Sequence, residues 1–395
     1  MWKVVSSCSV INQLTSNQLT SRSVDEYFFK NMRKQLLALV AMICMCGTMA
    51  TAADKRVSAG DKNQVSFTGR VQHLQDGSVR YDWTGVYMQT QFTGTRIAAV
   101  LSDEGTSYHN VFVDGKWTKK IKVSGTEPQT IVLADKLAKG THTLRLQKCT
   151  EGEYGCTTVK ELVADKNATL TAVKPTGRFI EVIGDSYTCG YGTESNSRKD
   201  PFKLETENCN LAYGCLVARY FNADYALVAH SGHGIVRHYG DSVQVSINNM
   251  PDRWKRVFDD HGDEAYDYKA YTPQLVIINL GTNDFSPTAI PTSSQYVNGY
   301  VKLIKDIKAQ YGNDTPVLCV TPHSASTYLK AALAELGKAT LKLNKVYMAN
   351  IMDNVVNLDT DLGASWHPNY KGQCKIAMSL IPQVSTIMGW GITTF

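Results

Sequence analysis

The spacing of apolar residues changes once along this chain, and that change limits the folds open to it more than any other feature. From residue 56 to 172 the pattern is short apolar or alternating runs cut by turn residues: "GVYMQTQFTGTRIAAVLSD", "HNVFVDGKWTKKIKV", "QTIVLADKLAKGTHTLRLQKC" and "TTVKELVAD". Alternation of this kind marks half-buried strands, and "VDGK" carries the Asp-Gly pair of a tight hairpin. Strands at this spacing predict an all-β domain, an antiparallel sandwich of jelly-roll type. From residue 177 to 395 the rhythm becomes strand, loop, amphipathic helix. The strands are "RFIEVIG", "ADYALVAH", "PQLVIINLG", "TPVLCVTP" and "KVYMANI", and the helices are "CNLAYGCLVARYF", "QYVNGYVKLIKDIKAQYG" and "YLKAALAELGKATLK". That alternation predicts an α/β/α domain, a parallel sheet covered on both faces. "VKPTG", residues 173–177, reads as the linker between the two.

Ahead of the first strand, residues 32–52 read "MRKQLLALVAMICMCGTMATA": a Met, two cations, an apolar run, then small residues ending in Ala50-Thr51-Ala52. This is the layout of a secretory signal peptide, since the apolar core is too short to span a bilayer and an A-x-A site follows at once. Met32 sits where such a segment starts, so residues 1–31 read as an upstream extension and the working chain begins near Ala53. A secreted or periplasmic destination is expected, with no stable membrane insertion after cleavage. Of 41 Lys+Arg and 36 Asp+Glu, five and two lie before residue 53, which leaves 36 cations against 34 anions. So even a balance carries no footprint for nucleic acid or an anionic membrane.

Cys8, Cys44 and Cys46 fall in the leading part, and Cys149, Cys156, Cys189, Cys209, Cys215, Cys319 and Cys374 remain. In an exported chain the close pair in "KCTEGEYGC" predicts a disulfide between Cys149 and Cys156. Cys209 with Cys215 is a second candidate, and the odd count leaves at least one thiol free. No C-x-x-C spacing occurs, so no structural zinc site is expected.

An α/β sheet gathers the C-terminal ends of its strands along one edge, where polar residues far apart in sequence converge. The first strand runs into "EVIGDSYTCGYG", residues 181–192, and delivers Ser186 into a glycine-rich turn. "HSGHG", residues 230–234, follows the second strand; glycine allows close backbone approach there, with Gly232 or Gly234 offering an N–H. "NLGTNDF", residues 279–285, follows the third and offers the Asn283 amide. In "GASWHPNYKGQ", residues 363–373, Pro368 holds His367 in a loop before the last helix. Nucleophile, backbone donor, amide donor and base, in that order, are the parts acyl transfer requires.

With these blocks the chain resembles the SGNH hydrolases of the GDSL type, whose four blocks centre on Ser, Gly, Asn and His: "GDSYTCGYG", "HSGHG", "GTND" and "WHPN". The leading β-domain and the form "GDSYTCGYG" resemble carbohydrate esterase family 2 more closely, over about residues 60–390. The resemblance implies a flavodoxin-like SGNH-hydrolase domain behind the jelly roll, removing acetyl groups from plant-wall polysaccharides such as xylan and glucomannan. It implies Ser186 as nucleophile and His367 as general base. The oxyanion would be bound by the Ser186 N–H, the Gly232 N–H and the Asn283 side chain, with no metal and no cofactor. An acetylated polysaccharide or oligosaccharide is the implied partner of a monomeric enzyme. Tyr187, Tyr191, Trp366 and Tyr370 are candidate walls for a sugar ring, since an aromatic face packs against pyranose C–H groups. Competing readings are another SGNH esterase or lipase, a deacetylase of peptidoglycan or a host glycan, and a non-catalytic carbohydrate-binding protein. A region rich in Tyr, His, Asn and Gly speaks against a lipase channel, and four retained blocks speak against a decayed site.

One departure from the broader pattern bears on mechanism. Where many relatives carry an acid shortly before the His, this chain has Ala364 and Ser365. A backbone carbonyl accepting Nδ1–H can fix the tautomer of His367 without supplying charge, which gives a Ser-His dyad. Asp359 or Asp361 folding back onto the ring is the alternative.

Overall fold

The alternating half of the chain forms ten strands: β1 (Lys55–Ser58), β2 (Ser66–Thr68), β3 (Gln72–His73), β4 (Val79–Tyr81), β5 (Tyr87–Gly94), β6 (Ile97–Val113), β7 (Lys116–Ala134), β8 (Gly140–Lys148), β9 (Thr157–Ala164) and β10 (Leu170–Thr171). The structure, a computed structural model, describes residues 54–351 and 354–392. The expected upstream extension and signal peptide, and the cysteines within them, lie outside the described residues. The ten strands make one antiparallel sheet in the order β10-β5-β8-β6-β9-β4-β3, with β1 on β9, β2 on β5 and β7 on β6.

Its curl comes from β6, which pairs with β9 through Ile97–Asp103 and with β8 through His109–Val113. Irregular register between Leu101 and Thr106 lets one strand serve both layers, as bulges bend a strand. At the β6–β7 turn Val113 pairs with Lys116 across the expected Asp-Gly hairpin, with φ of 52° at Asp114 and 76° at Gly115. Two successive positive φ values are what the turn of a twisted two-residue hairpin demands.

Past the linker, β11 (Phe179–Gly184), β12 (Asp224–Ala229), β13 (Leu275–Asn279), β14 (Val317–Thr321) and β15 (Val346–Asn350) form an all-parallel sheet in the order β12-β11-β13-β14-β15. Every residue of β12 and β13 is buried, as a sheet covered on both faces requires. Helices Tyr213–Tyr220 and Tyr370–Met388 cover one face, and Ser293–Tyr311 with Thr327–Thr340 cover the other. The Ser293–Tyr311 helix starts where Thr292 and Gln295 satisfy each other's backbone N–H groups. Among the described residues no helix is long and apolar enough to cross a membrane. β11 has β12 on one side and β13 on the other, so the chain reverses direction across the sheet at β11. That reversal opens a crevice at the C-terminal end of β11, where Ser186 follows.

The two sheets share one apolar core, which runs from Val79, Tyr81 and Trp83 into the layer of Tyr296, Tyr300 and Leu303. Buried polar contacts fix their register. Glu181, in the middle of β11, accepts from Trp254 Nε1 at 2.8 Å, Tyr271 Oη at 2.6 Å and Tyr311 Oη at 3.0 Å, and pairs with Arg70 of the antiparallel half at 3.4 Å. Tyr87 Oη donates to Asp224, and Gln147 Nε2 to Tyr225 Oη, each at 2.6 Å.

The cysteine expectation is corrected: Cys149 and Cys156 are both buried and both free, as are Cys209 and Cys215. The two thiols of the first pair have different surroundings. Cys149 Sγ turns to the Gln147 carbonyl at 3.9 Å, whereas Cys156 lies near Arg80 and Asp82. The segment between them is held by other means. Lys148 Nζ donates to the carbonyls of Thr150 and Glu151 at 2.7 and 2.9 Å, and Glu151 N–H to Glu207 at 3.0 Å.

Candidate active site

β11 ends at Gly184, where a Cβ would lie 2.0 Å from Thr188 Oγ1, so the chain turns as soon as the strand stops. Asp185 caps the short helix Ser186–Cys189, its carboxylate accepting the Tyr187 N–H at 3.1 Å, and Ser186 is the first helical residue. Gly190 closes that helix at φ 75°, against the Asn208 backbone, where a side chain would be both strained and obstructed. Gln373 on the last helix accepts from Tyr213 N–H at 2.9 Å and donates to the Tyr187 carbonyl at 3.0 Å. Residues some 180 positions apart are thereby brought together: His367 Nε2 lies 2.8 Å from Ser186 Oγ.

His367 Nδ1 lies 2.9 Å from the Ser365 carbonyl. A carbonyl only accepts, so Nδ1 carries the proton, Nε2 is bare, and Ser186 Oγ–H donates to it. The carbonyl is aimed by unusual backbone: Ser365 and Trp366 have φ of 51° and 65°, left-handed values that cost a non-glycine residue about 1 kcal/mol or more each. Ser365 N–H to Asp200 O (3.0 Å) and Gly363 N–H to His367 O (2.7 Å) hold this turn. Burial lowers the His367 pKa despite the carbonyls that favour its proton, so the ring is neutral at neutral pH.

Neither alternative acid reaches the ring. Asp359 is exposed and pairs with Arg198 at 3.1 Å. Asp361 is buried and pairs with Lys375 at 2.5 Å and Lys371 at 3.2 Å, while accepting Asn357 N–H at 2.8 Å. Burial alone would raise its pKa, but Lys375, the Asn357 N–H and Thr360 outweigh that and hold it well below the usual carboxylate range. Asp361 braces the loop beneath His367.

The donors also converge. Asn283 is buried, and its Nδ2 donates to the His233 carbonyl at 2.9 Å and to Asp185 at 3.3 Å, which fixes the amide plane. Burial, with the charges of Asp284 and Glu151, pushes the Asp185 carboxyl up to about 7. The two glycines of the second block differ. A Cβ on Gly232 (φ 76°) would meet nothing within 4 Å, because this residue lines an open cleft. On Gly234 it would lie 2.1 Å from Asp284 Oδ2, and Asp284 itself accepts the N–H groups of Ile235, Val236 and Arg237 at 2.7–3.0 Å. Gly232 is therefore the residue open to a ligand, and Gly234 is packing.

The cleft has a volume of about 680 Å³, with Ser186, Gly232, Asn283 and His367 in its lining. Tyr187 and Tyr191 flank His367, with ring centroids 5.7 and 4.4 Å from it. Trp366 stands at the rim, 58% exposed, with the Arg198 guanidinium 4.6 Å from its ring. Tyr370 is not part of the lining; it opens the last helix, its N–H on the Thr193 carbonyl. Sequence reasoning missed Glu153, Tyr154 and Tyr239, which also line the cleft, and Phe202, which stacks between Tyr191 and Tyr154 at 3.9 and 5.7 Å. Glu153 and Tyr154 come from the Cys149–Cys156 loop of the antiparallel half. Only the docking of one sheet on the other brings that loop here, and no local motif marks it. Among the described residues no group of three or more His, Cys, Asp or Glu side chains is arranged to hold a metal ion.

Comparison with known proteins agrees with this architecture. The family model described as carbohydrate esterase 2 N-terminal matches residues 67–173, and that of the GDSL-like lipase/acylhydrolase family matches residues 182–373. Cellulase/esterase CelE of Acetivibrio thermocellus is 29% identical over 344 residues, which cover 86% of this chain and 41% of that protein, so the chain spans less than half of its length. An acetylxylan esterase / glucomannan deacetylase of Cellvibrio japonicus is 30% identical over 327 residues, covering 80% of this chain and 88% of its own. A family two carbohydrate esterase from Clostridium thermocellum, solved in complex with cellohexaose, superposes with a TM-score of 0.77 at 28% identity, over 83% of this chain and all of that one. With both domains matched in order and a curated relative covered over most of its length, the chain belongs to family 2 of the carbohydrate esterases, a family of carboxylic ester hydrolases.

Proposed function

We propose that this protein is a secreted O-acetyl esterase that removes acetyl groups from plant cell-wall polysaccharide or oligosaccharide through a Ser186–His367 acyl-enzyme mechanism. The observation that carries the reading is the run from the Ser365 carbonyl through the His367 ring to Ser186 Oγ, with contacts of 2.9 and 2.8 Å, at the wall of an open cleft. His367 takes the Ser186 proton as Oγ attacks the acetyl carbonyl. The Ser186 and Gly232 N–H groups receive the oxyanion together with Asn283 Nδ2, which gives up its longer hydrogen bond, to Asp185 at 3.3 Å, to do so, and the imidazolium returns its proton to the departing sugar oxygen. Water, deprotonated by the same ring, then clears the acetyl-enzyme. These steps use side chains and backbone donors alone.

Substrate class rests on the relatives named for acetylxylan and glucomannan, and on the cellohexaose bound by the Clostridium esterase. An exposed Trp366 beside the base and Tyr239 across the cleft, 67% exposed, suit a sugar chain better than a fatty acyl chain. Secretion rests on residues 32–52 and a monomeric state on the self-contained cleft. Ser186→Ala and His367→Ala should each lower kcat on 4-nitrophenyl acetate by at least ~10³-fold, and the double variant should be little worse, because the two act as one unit. Acetate released from acetylated xylan and glucomannan supports the substrate assignment; release from acetylated peptidoglycan alone overturns it. Full activity in His367→Ala would remove His367 as the base.

A further inference from the structure

Glu151 is fully buried, yet both of its carboxylate oxygens serve one residue beside the cleft: Oε2 accepts the Ser231 N–H and Oε1 accepts Ser231 Oγ–H. Ser231 immediately precedes Gly232, whose N–H is an oxyanion donor on the reading proposed above. We propose that Glu151, carried on the β8–β9 loop of the antiparallel domain, is a positioning residue for ester hydrolysis: it clamps Ser231 so that the Gly232 N–H faces the cleft, and it supplies the negative charge that the Ser-His dyad otherwise lacks.

The surroundings make this charge distinctive. Lys148 is the adjacent cation, but its Nζ is spent on the carbonyls of Thr150 and Glu151 and not on the carboxylate. His230, the residue before Ser231, is committed to Asp259 at 2.8 Å, and Arg253 pairs with that same Asp259. Burial would lower the pKa of His230, but Asp259 carries it up to about 9, and Glu153 lies 3.8 Å from its other nitrogen. Glu207, whose carboxyl accepts the Glu151 N–H, is pushed well above the ordinary range by burial and by its nearness to Glu151. Cys189 lies under the same carboxylate, and burial pushes its thiol up as well. Among the described residues no cation forms an ion pair with Glu151.

The imidazolium that appears on His367 during each acyl step touches no carboxylate, since its two ring nitrogens are taken by the Ser365 carbonyl and Ser186 Oγ. Of the influences on His367, burial disfavours its proton, whereas the Ser365 and Ala364 carbonyls and the Glu151 charge favour it, Glu151 being the one carboxylate among them. A triad acid does the same work through direct contact. Here the work is divided: the Ser365 carbonyl fixes the tautomer, and a carboxylate from the other domain supplies the field.

Glu151→Gln keeps the shape and removes the charge. On 4-nitrophenyl acetate kcat should fall ~10- to 100-fold, the range expected for a misplaced oxyanion donor and a less stabilised imidazolium, with KM within about threefold. The acid limb of kcat/KM should move to lower pH, since removing a negative charge lowers the pKa of His367; a loop that is merely loosened would leave that limb in place. Ser231→Ala, which keeps the charge and loses one contact, should lower kcat a few-fold without moving the limb. Wild-type kcat with an unmoved limb in Glu151→Gln overturns the proposal. Should that variant fail to accumulate folded, unchanged kcat in Ser231→Ala overturns the positioning role. Ser186→Ala separates the two levels: if it retains activity, the reading of the reaction fails whatever Glu151 does.

Discussion

The carbonyl-oriented dyad makes a prediction that distinguishes it from a hidden triad. Asp359→Asn and Asp361→Asn are the substitutions that would expose a triad acid, and loss of one costs on the order of 10⁴-fold in kcat. The geometry argues for far less. Asp359 spends its charge on Arg198 at the surface, an exposed pair contributing between zero and about 1 kcal/mol. Asp361 is different, because its carboxylate is buried beneath the His367 loop between Lys371 and Lys375. Its folded pKa is depressed, so its stabilisation is present above the unfolded value near 3.8 and is lost as pH falls toward the folded one. Breaking a fully buried pair costs about 3–5 kcal/mol, but both lysines reach water and are not stranded, so roughly 1–2 kcal/mol is expected for Asp361→Asn. At about 2–4 °C per kcal/mol, Tm should drop by roughly 2–8 °C near pH 7.

The assay is kcat/KM on 4-nitrophenyl acetate against pH for the native protein and both variants, with a thermal melt of each. On the proposed mechanism neutral His367 is the active form, and burial holds its pKa below the ordinary 6.5, so activity should persist on the acid side of that value and then fall as the ring is protonated. Both variants should keep kcat within about threefold and leave the acid limb where it was, Asp361→Asn losing stability only. A ~10⁴-fold loss in either folded variant would falsify the carbonyl-oriented dyad, and an acid limb well above pH 7 in the native protein would point to a carboxylate against the ring.

Three further outcomes follow from the same geometry. Trp366→Ala should impair acetate release from an acetylated oligosaccharide far more than hydrolysis of 4-nitrophenyl acetate, because only the sugar uses a rim platform; equal losses would take Trp366 out of the sugar site. Turnover should fall from acetate to butyrate esters if the proposed acetyl esterase activity is right, and a flat chain-length profile would contradict it. Arg70→Ala should lower Tm by about 6 °C or more while kcat at 25 °C holds within about threefold, since Glu181 would keep three neutral donors but lose its buried counter-charge; a shift under 2 °C would mean that the pair does not join the two sheets.

What the sequence made legible was what local pattern controls. β11 announces itself as a run apolar but for Glu181 and ending in Gly-Asp-Ser, because a strand buried on both faces is mainly apolar and stops at a tight turn. The Asp114-Gly115 hairpin is legible because few residues tolerate two positive φ values in succession. Nothing local, by contrast, marks Ser365 or Trp366 as left-handed, since neither is glycine and the cost is met by contacts to Arg198 and Asp200 from a distant loop. Tyr370 looked like a platform from its distance to His367 in sequence, but a helix start directs its side chain, and the cleft lies elsewhere.

The Cys149–Cys156 loop is the sharpest instance of the limit. Its spacing predicts a disulfide, a property of the loop alone, whereas in the structure both thiols are free and Glu151 is hydrogen-bonded to Ser231 of the other domain. A buried carboxylate needs donors, and "TEGEYG" holds two acids with no nearby basic residue except Lys148, so the segment is incomplete by itself. Which donors complete it depends on how the antiparallel sheet seats on the parallel one, and that seating is set by contacts such as Arg70 to Glu181 and Tyr87 to Asp224, between residues more than 100 positions apart. The antiparallel domain is thus more than a neighbour of the site. Glu153 and Tyr154 line the cleft, and Glu151 behind it holds Ser231 of the parallel domain, so this one loop contributes both to the surface of the cleft and to its support.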